Sequence, residues 1–264
     1  MQRKIHGQMS ESFLIAGILS ISGGLQDAYT YMYRGKVFAN AQTGNIVLLS
    51  QNLVDRNWQA VLRYFSPLLF FALGVAMAEC IRMRYQKAQR IHWRQLVLVT
   101  EILLLFAVGF FPNEMDLMAN AMVSFACAMQ VQAFRKVNGY AFASTMCIGN
   151  LRSGMESLCA YGKTKDKKIL RKSGYYFGII FLFAIGAALG GHMIRYIGAK
   201  TIWISCLILL ISFLCMFIKE EKDEHPEIME EEQEIRDNLK NIRKEAKDVE
   251  HILEDDFRSQ IEKK

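Results

Sequence analysis

The sequence predicts an all-α polytopic membrane protein. We read a helical bundle of six spans, built as two inverted three-span repeats with two re-entrant or broken polar segments, plus a cytoplasmic helical tail. Three observations predict it. Charge is split along the chain: residues 1–218 hold twenty-two Lys/Arg and only nine Asp/Glu, whereas 219–264 hold ten and seventeen. Six stretches are long and apolar enough for a bilayer, which takes about 20 helical residues. Two shorter polar stretches recur at matching places in the two halves. The boundary therefore falls between a membrane domain, 1–218, and a charged tail, 219–264, with repeats of about 12–112 and 115–218.

The six stretches are about 12–33, 64–82, 95–112, 115–134, 174–195 and 201–218. The first follows Arg3 and Lys4, as in a signal peptide, but no small-residue cleavage site closes it, so it reads as an uncleaved first span. The polar stretches are 37–54 (VFANAQTGNIVLLSQNLV) and about 141–161 (AFASTMCIGNLRSGMESLCAY). Gly44-Asn45 and Gly149-Asn150 stand 105 residues apart, preceded by Phe38-Ala39 and Phe142-Ala143. Phe71-Ala72-Leu73-Gly74-Val75-Ala76 matches Phe183-Ala184-Ile185-Gly186-Ala187-Ala188 at a separation of 112, and the basic insert 163–168 accounts for the extra residues. Small residues are common in membrane helices, but here several matches keep one order.

Loop charge sets the topology, because cytoplasmic loops carry excess Lys/Arg. One basic loop holds Arg82, Arg84, Lys87, Arg90 and Arg94; the other holds Lys163, Lys165, Lys167, Lys168, Arg171 and Lys172. Spans 95–112 and 115–134 lie between them. If 141–161 also crossed, three crossings would put one basic loop outside. If it does not, both are inside, each half has three crossings, and the second half is inverted. Both termini are then cytoplasmic, and the acidic connection 112–116 is outside. Inverted repeats with discontinuous helices meeting near the midplane are a transporter architecture.

The candidate substrate-binding residues are Asp27, Asn40, Gln42, Thr43, Gly44, Asn45, Ser144, Thr145, Gly149 and Asn150. Asp27 follows Gly23-Gly24 inside the first span, and a carboxylate at that depth faces a cavity or a partner. It either carries a proton, or caps the following segment, or pairs with Arg34. In the polar segments, a half-helix start would offer free N–H groups to a polar or anionic solute. The plainer reading of the same residues is interhelical hydrogen bonding that only stabilises packing. Gln130 and Gln132 lie where the repeat places a counterpart of Asp27; neither can titrate. Glu79 reads as an interfacial ion pair with Arg82 or Arg84. Glu101 has only Arg94 near it in sequence, and His192 reads mainly as a packing residue.

Gly23-Gly24-x-x-Asp27-Ala28 followed by Val37-Phe38-Ala39-Asn40-Ala41-Gln42-Thr43-Gly44-Asn45 resembles the signature of the YoaK-like family, bacterial multi-pass membrane proteins known mainly as a domain of unknown function. The resemblance covers about 12–218; in the second half Ile148 stands where the pattern has Thr. It implies a bacterial inner-membrane location and suspected transport without a settled substrate, and it supplies no catalytic residues.

Six cysteines sit in or beside apolar runs, none at C-x-x-C spacing, so neither a zinc site nor a disulfide framework is expected. No nucleophile elbow, Walker loop, HExxH or dinucleotide fingerprint is present. We therefore expect no enzyme, no cofactor, no metal and no nucleic-acid partner. In the tail, Ile228, Ile235, Leu239, Ile242, Ala246, Val249 and Leu253 form a coiled-coil seam, weakened by Glu232, that would support a homo-oligomer. The expected partners are otherwise the lipid bilayer and a small solute. The expected function is a small secondary transporter or permease moving a small polar or anionic solute, with Asp27 as candidate proton carrier. The alternatives are a substrate-binding membrane subunit of an uptake complex, or a membrane sensor or scaffold acting through its tail.

Overall fold

The computed structural model describes residues 12–85, 93–137 and 140–224, with side chains described as far as Met216, Val137 excepted. Arg3, Lys4, Lys87, Arg90 and the tail seam lie outside the described residues. The chain divides into two compact units, Met1–Met216 and Phe217–Lys264. Among the described residues the fold is all-α apart from one pair of two-residue strands.

Helix α1 (Phe13–Tyr33) starts where the Ser12 hydroxyl accepts the Ile15 amide at 3.3 Å, a conventional N-cap. It ends at Arg34 and at Gly35, whose φ of 84° only glycine adopts easily. Helix α2 (Gln42–Val54) occupies the first polar stretch, and α3 (Trp58–Tyr85), α4 (Trp93–Val108) and α5 (Asp116–Ala133) follow. Strands β1 (Lys136–Val137) and β2 (Tyr140–Ala141) pair antiparallel. Then come α6 (Cys147–Thr164) in the second polar stretch, α7 (Lys167–Ile197) and α8 (Ile202–Glu224). A helix thus lies at each predicted span, although α4 stops four residues short of 112, where a Gly-Phe-Phe-Pro sequence ends it.

Glycines set how the helices pack. A Cβ on Gly24 would collide with the Phe183 carbonyl and the Ala187 amide of α7, and one on Gly186 would collide with the Ile21 carbonyl of α1. Backbone therefore touches backbone along α1 and α7, the small-residue packing of membrane helices. On the other side, Gly74 of α3 meets the Phe125 carbonyl and, at 2.8 Å for an added Cβ, Ala128 of α5. Ile21 and Phe125 are 104 residues apart, as are Gly24 and Ala128, while Gly74 and Gly186 are 112 apart. The α1–α7 and α3–α5 contacts thus use residues at corresponding positions.

Polarity is inside out. The buried set includes Ser20, Ser22, Gln26, Asp27, Asn40, Asn45, Glu101, Asn120 and Gln130, while Leu69, Leu73, Met77, Leu103, Phe106, Phe181, Leu207 and Ile211 are exposed. Water would not tolerate that distribution cheaply; hydrocarbon does. Among the described residues, α3 and the run Lys167–Met216 are long and apolar enough to cross a membrane.

Arg34 is fully buried and sits where α1 meets the α4–α5 connection. It donates to the Tyr29 hydroxyl at 2.8 Å, to the carbonyls of Val108, Phe111 and Pro112 at 3.3, 2.8 and 3.1 Å, and to Asp116 Oδ1 at 3.0 Å. Its own carbonyl accepts from Asn120 Nδ2 at 2.7 Å. The expected alternative of an Arg34–Asp27 pair is therefore corrected. The carbonyls left open at the C-terminal end of α4 carry partial negative charge and, with Asp116, draw the guanidinium to that side.

Two stability predictions follow from these contacts. Gly24→Ala must push α1 and α7 apart and should cost about 1–3 kcal/mol, whereas Gly162→Ala, with nothing within 4 Å, should be neutral or stabilising by about 0.5 kcal/mol. Thermal unfolding read through thiol labelling of buried Cys127 checks both; equal behaviour would contradict the packing. Arg34→Met should cost about 3 kcal/mol, because it orphans a carboxylate and several carbonyls. Asp116→Asn should cost less, since Asp116 is 30% exposed and Arg34 keeps its other acceptors.

Candidate functional site

The middle of α1 is the junction. Gly23, eleventh of the helix's 21 residues, exposes bare backbone on one face. The tip of the first polar segment arrives from one side: Asn40 Nδ2 reaches the Gly23 carbonyl at 3.5 Å, and its amide N donates to Asp27 Oδ1 at 2.8 Å. From the other side comes Thr145, whose methyl lies so close to Gly23 that a Cβ there would collide with it. Residues 39–40 and 144–145 are the non-helical approaches to α2 and α6, and they converge on one glycine.

Each approach is braced by an Asn seven residues further on. Asn45 Nδ2 donates to the Phe38 carbonyl at 2.7 Å, seven residues back, and Asn45 Oδ1 accepts the Phe38 amide at 3.2 Å. Asn150 Nδ2 donates to the Ala143 carbonyl at 2.8 Å, also seven back. The amide side chains replace hydrogen bonds that the broken backbone cannot make to itself. Each loop tip is also tied to a neighbouring helix. Asp27 of α1 holds Asn40, and Gln130 of α5 donates to Ser144 Oγ at 2.8 Å and to the Leu19 carbonyl at 3.3 Å. Gln42 Nε2 lies 2.8 Å from the Ala39 carbonyl and 2.9 Å from Ser124 Oγ.

The predicted site residues therefore separate. Asp27, Asn40, Asn45, Ser144, Thr145 and Asn150 are buried at or beside the junction, and Gln42 is half-buried there. Thr43 and Gly149 are exposed, Gly149 with nothing within 4 Å, and Gly44 packs on the Phe38 ring. Three buried atoms from three elements lack a hydrogen-bond partner: Asn40 Oδ1, Gln130 Oε1 and Thr145 Oγ1. Two are pure acceptors and the third is a hydroxyl. Together with the Asp27 carboxylate they suit a solute carrying N–H or O–H donors.

A second polar cluster lies on another face of α1. Gln26 Nε2 is 3.1 Å from Glu101 Oε1, 3.0 Å from Ser22 Oγ and 3.1 Å from Ser205 Oγ, and Cys127 Sγ is 2.6 Å from Gln26 Oε1. Glu101 is fully buried, and its Oε2 has no partner. The sequence offered Glu101 only Arg94, which instead donates to the Ala133 carbonyl at 3.1 Å. The available signal was Ser22 and Gln26, one turn apart in an otherwise apolar span. The expected Glu79–Arg82 pair is present, with Gln132 donating to Glu79 at 2.8 Å. His192 is exposed beside Tyr196 and away from the junction. Among the described residues, no group of three His, Cys, Asp or Glu could hold a metal.

Comparison with known proteins agrees with the inside-out architecture. Over 185 residues the chain is 26% identical to the UPF0700 transmembrane protein YoaK of Bacillus subtilis (strain 168), an alignment that takes in 66% of this chain and 80% of that protein. No solved structure matches the chain. The model of the family described as "Protein of unknown function (DUF1275)" matches residues 15–215, so this chain is a membrane protein belonging to that family.

Proposed function

We propose that the chain is a small secondary transporter or permease of a bacterial inner membrane, whose solute passes the junction at Gly23. One observation carries the reading: two broken segments, one from each half, meet at the midpoint of a buried helix and leave three polar atoms unsatisfied there. Irregular backbone at membrane depth is tolerated where it is enclosed by protein or lines a cavity. In this reading the six long helices cross the bilayer as two inverted repeats, and α2 and α6 return to the face they came from. The corresponding contacts of Gly74 and Gly186, and of Asn45 and Asn150, support the repeat. The acceptor-rich junction favours a small donor-bearing polar solute over an anion.

Asp27 has two jobs in this scheme. It accepts the amide at the tip of the first segment, so its charge holds that tip in place. Protonation would weaken that hold and free the tip to move, coupling a proton to solute passage. The partner of the carboxylate is the Asn40 backbone N–H.

Asp27→Asn tests the coupling. An amide oxygen can still accept the Asn40 N–H, so the fold should survive. In proteoliposomes with an internal pH dye, a panel of small polyols, amides and amino acids should evoke proton entry with the native chain. The Asn variant should bind the same solute and move no protons. Unchanged pH-dependent uptake would leave Asp27 as a cap alone, and solute binding without flux by the native chain would point to a capture subunit of an uptake complex. The topology has its own test in a cysteine-free background: a thiol at position 165 should react with impermeant reagent only from the cytoplasmic side, and one at 113 only from outside. Labelling of 165 in intact cells would sink the inverted arrangement.

A further inference from the structure

A cavity of about 470 Å³ opens where the C-terminal ends of α3 and α5 and the start of α4 meet the β1–β2 hairpin. Four cationic side chains line it: Arg82, Arg94, Arg135 and Lys136. Positive loops are expected on one face of any membrane protein, and a loop needs no cavity to carry them. Here the charges come from separate elements and are aimed by other contacts. Arg82 is held by the Glu79 carboxylate, which Gln132 also grips at 2.8 Å. Arg94 is fixed to the Ala133 carbonyl at 3.1 Å and lies over the Trp93 ring at 5.2 Å. Arg135 and Lys136 are exposed at the opening. Glu79 stands beside this wall as counter-charge, within electrostatic reach of Arg135.

We propose that this cavity binds the phosphate headgroup of an anionic membrane lipid. Guanidinium forks match phosphate oxygens in pairs, and basic pockets between membrane helices hold anionic headgroups. The volume falls within the range of small-ligand sites, roughly 300–1,000 Å³. The apolar side of the cavity argues for a lipid over a free phosphate. Trp93 and Phe142 line it, and Trp favours the headgroup level of a bilayer. None of the junction's polar residues lines the cavity, so the proposal stands whether or not the chain transports a solute.

The test uses the purified full-length protein in neutral detergent, titrated with short-chain phosphatidylglycerol, short-chain phosphatidylcholine or inorganic phosphate, and read by native mass spectrometry. Phosphatidylglycerol should bind saturably and more tightly than phosphatidylcholine, and inorganic phosphate should compete poorly. The double variant Arg135→Ala/Lys136→Ala, altered at two exposed positions, should unfold at the native temperature and bind phosphatidylglycerol about tenfold or more weakly. Arg135→Lys/Lys136→Arg, which keeps both charges, should recover most of the binding. Equal binding of the two lipids, or an unaffected double Ala variant, would overturn the proposal. Inorganic phosphate that binds as tightly as the lipid and displaces it would overturn the lipid source and make the cavity a soluble-phosphate site.

Discussion

Direct backbone contact at glycine is the constraint on which the rest of this fold depends. Gly24 and Gly186 bring α1 and α7 together with no side chain between them, and Gly74 does the same for α3 and α5. In a bilayer there is little hydrophobic gain from helix association, so close packing and interhelical hydrogen bonds must hold the bundle. Once α1 is clamped on α7, its remaining faces are free for polar work. The Ser22–Gln26 face meets Glu101 and Ser205, and the Gly23–Asp27 face meets the two loop tips. A bulkier residue at 24 would disturb both clusters at once, because both are referenced to the position of one helix.

The second constraint is hydrogen bonding of the broken backbone. An unpaired buried N–H or C=O costs roughly 1–3 kcal/mol, and each non-helical approach has several. The chain meets that demand with carboxamides and one acid: Asn45 on Phe38, Asn150 on Ala143, Gln42 on Ala39, and Asp27 on Asn40. Much of the polarity that marks the two segments is therefore consumed structurally. What remains unsatisfied is confined to Asn40, Gln130 and Thr145 at the junction, plus single atoms of Glu101, Asn120, Thr201 and Ser212 elsewhere among the described residues. That restriction makes the junction a sharper candidate than the whole polar run.

The sequence was most legible where a pattern is local. Apolar runs located the six long helices, with ends displaced by up to seven residues, and the recurring Phe-Ala and Gly-Asn pairs marked both breaks. The matched bracing by Asn45 and Asn150 explains that recurrence physically: an Asn seven residues after a break can close it. Partners distant in sequence were not legible. Arg34 finds carbonyls and an acid 74 to 82 residues away, and Gln26 finds Glu101 and Ser205 at 75 and 179. Spacing along one helix cannot announce such pairs. Nor could it show that Thr43 and Gly149, inside the motif, point away from the junction.

The two polar segments are held by different chemistry. Asp27 and Gln130 each secure the tip of one polar segment, thirteen and fourteen residues ahead of their partners. One of them can change charge and the other cannot. Under the proposed scheme, a proton alters the hold on the first tip and leaves the second untouched. The second segment then serves as a fixed wall, and the first as the element whose equilibrium a proton biases. Two tips held by identical acids would bring two negative charges to the same buried glycine, at a cost that grows as the dielectric falls. An amide in the second half avoids that repulsion while keeping the hydrogen bond. Under the proposed scheme, that difference in one functional group would make the first tip sensitive to a proton and leave the second fixed.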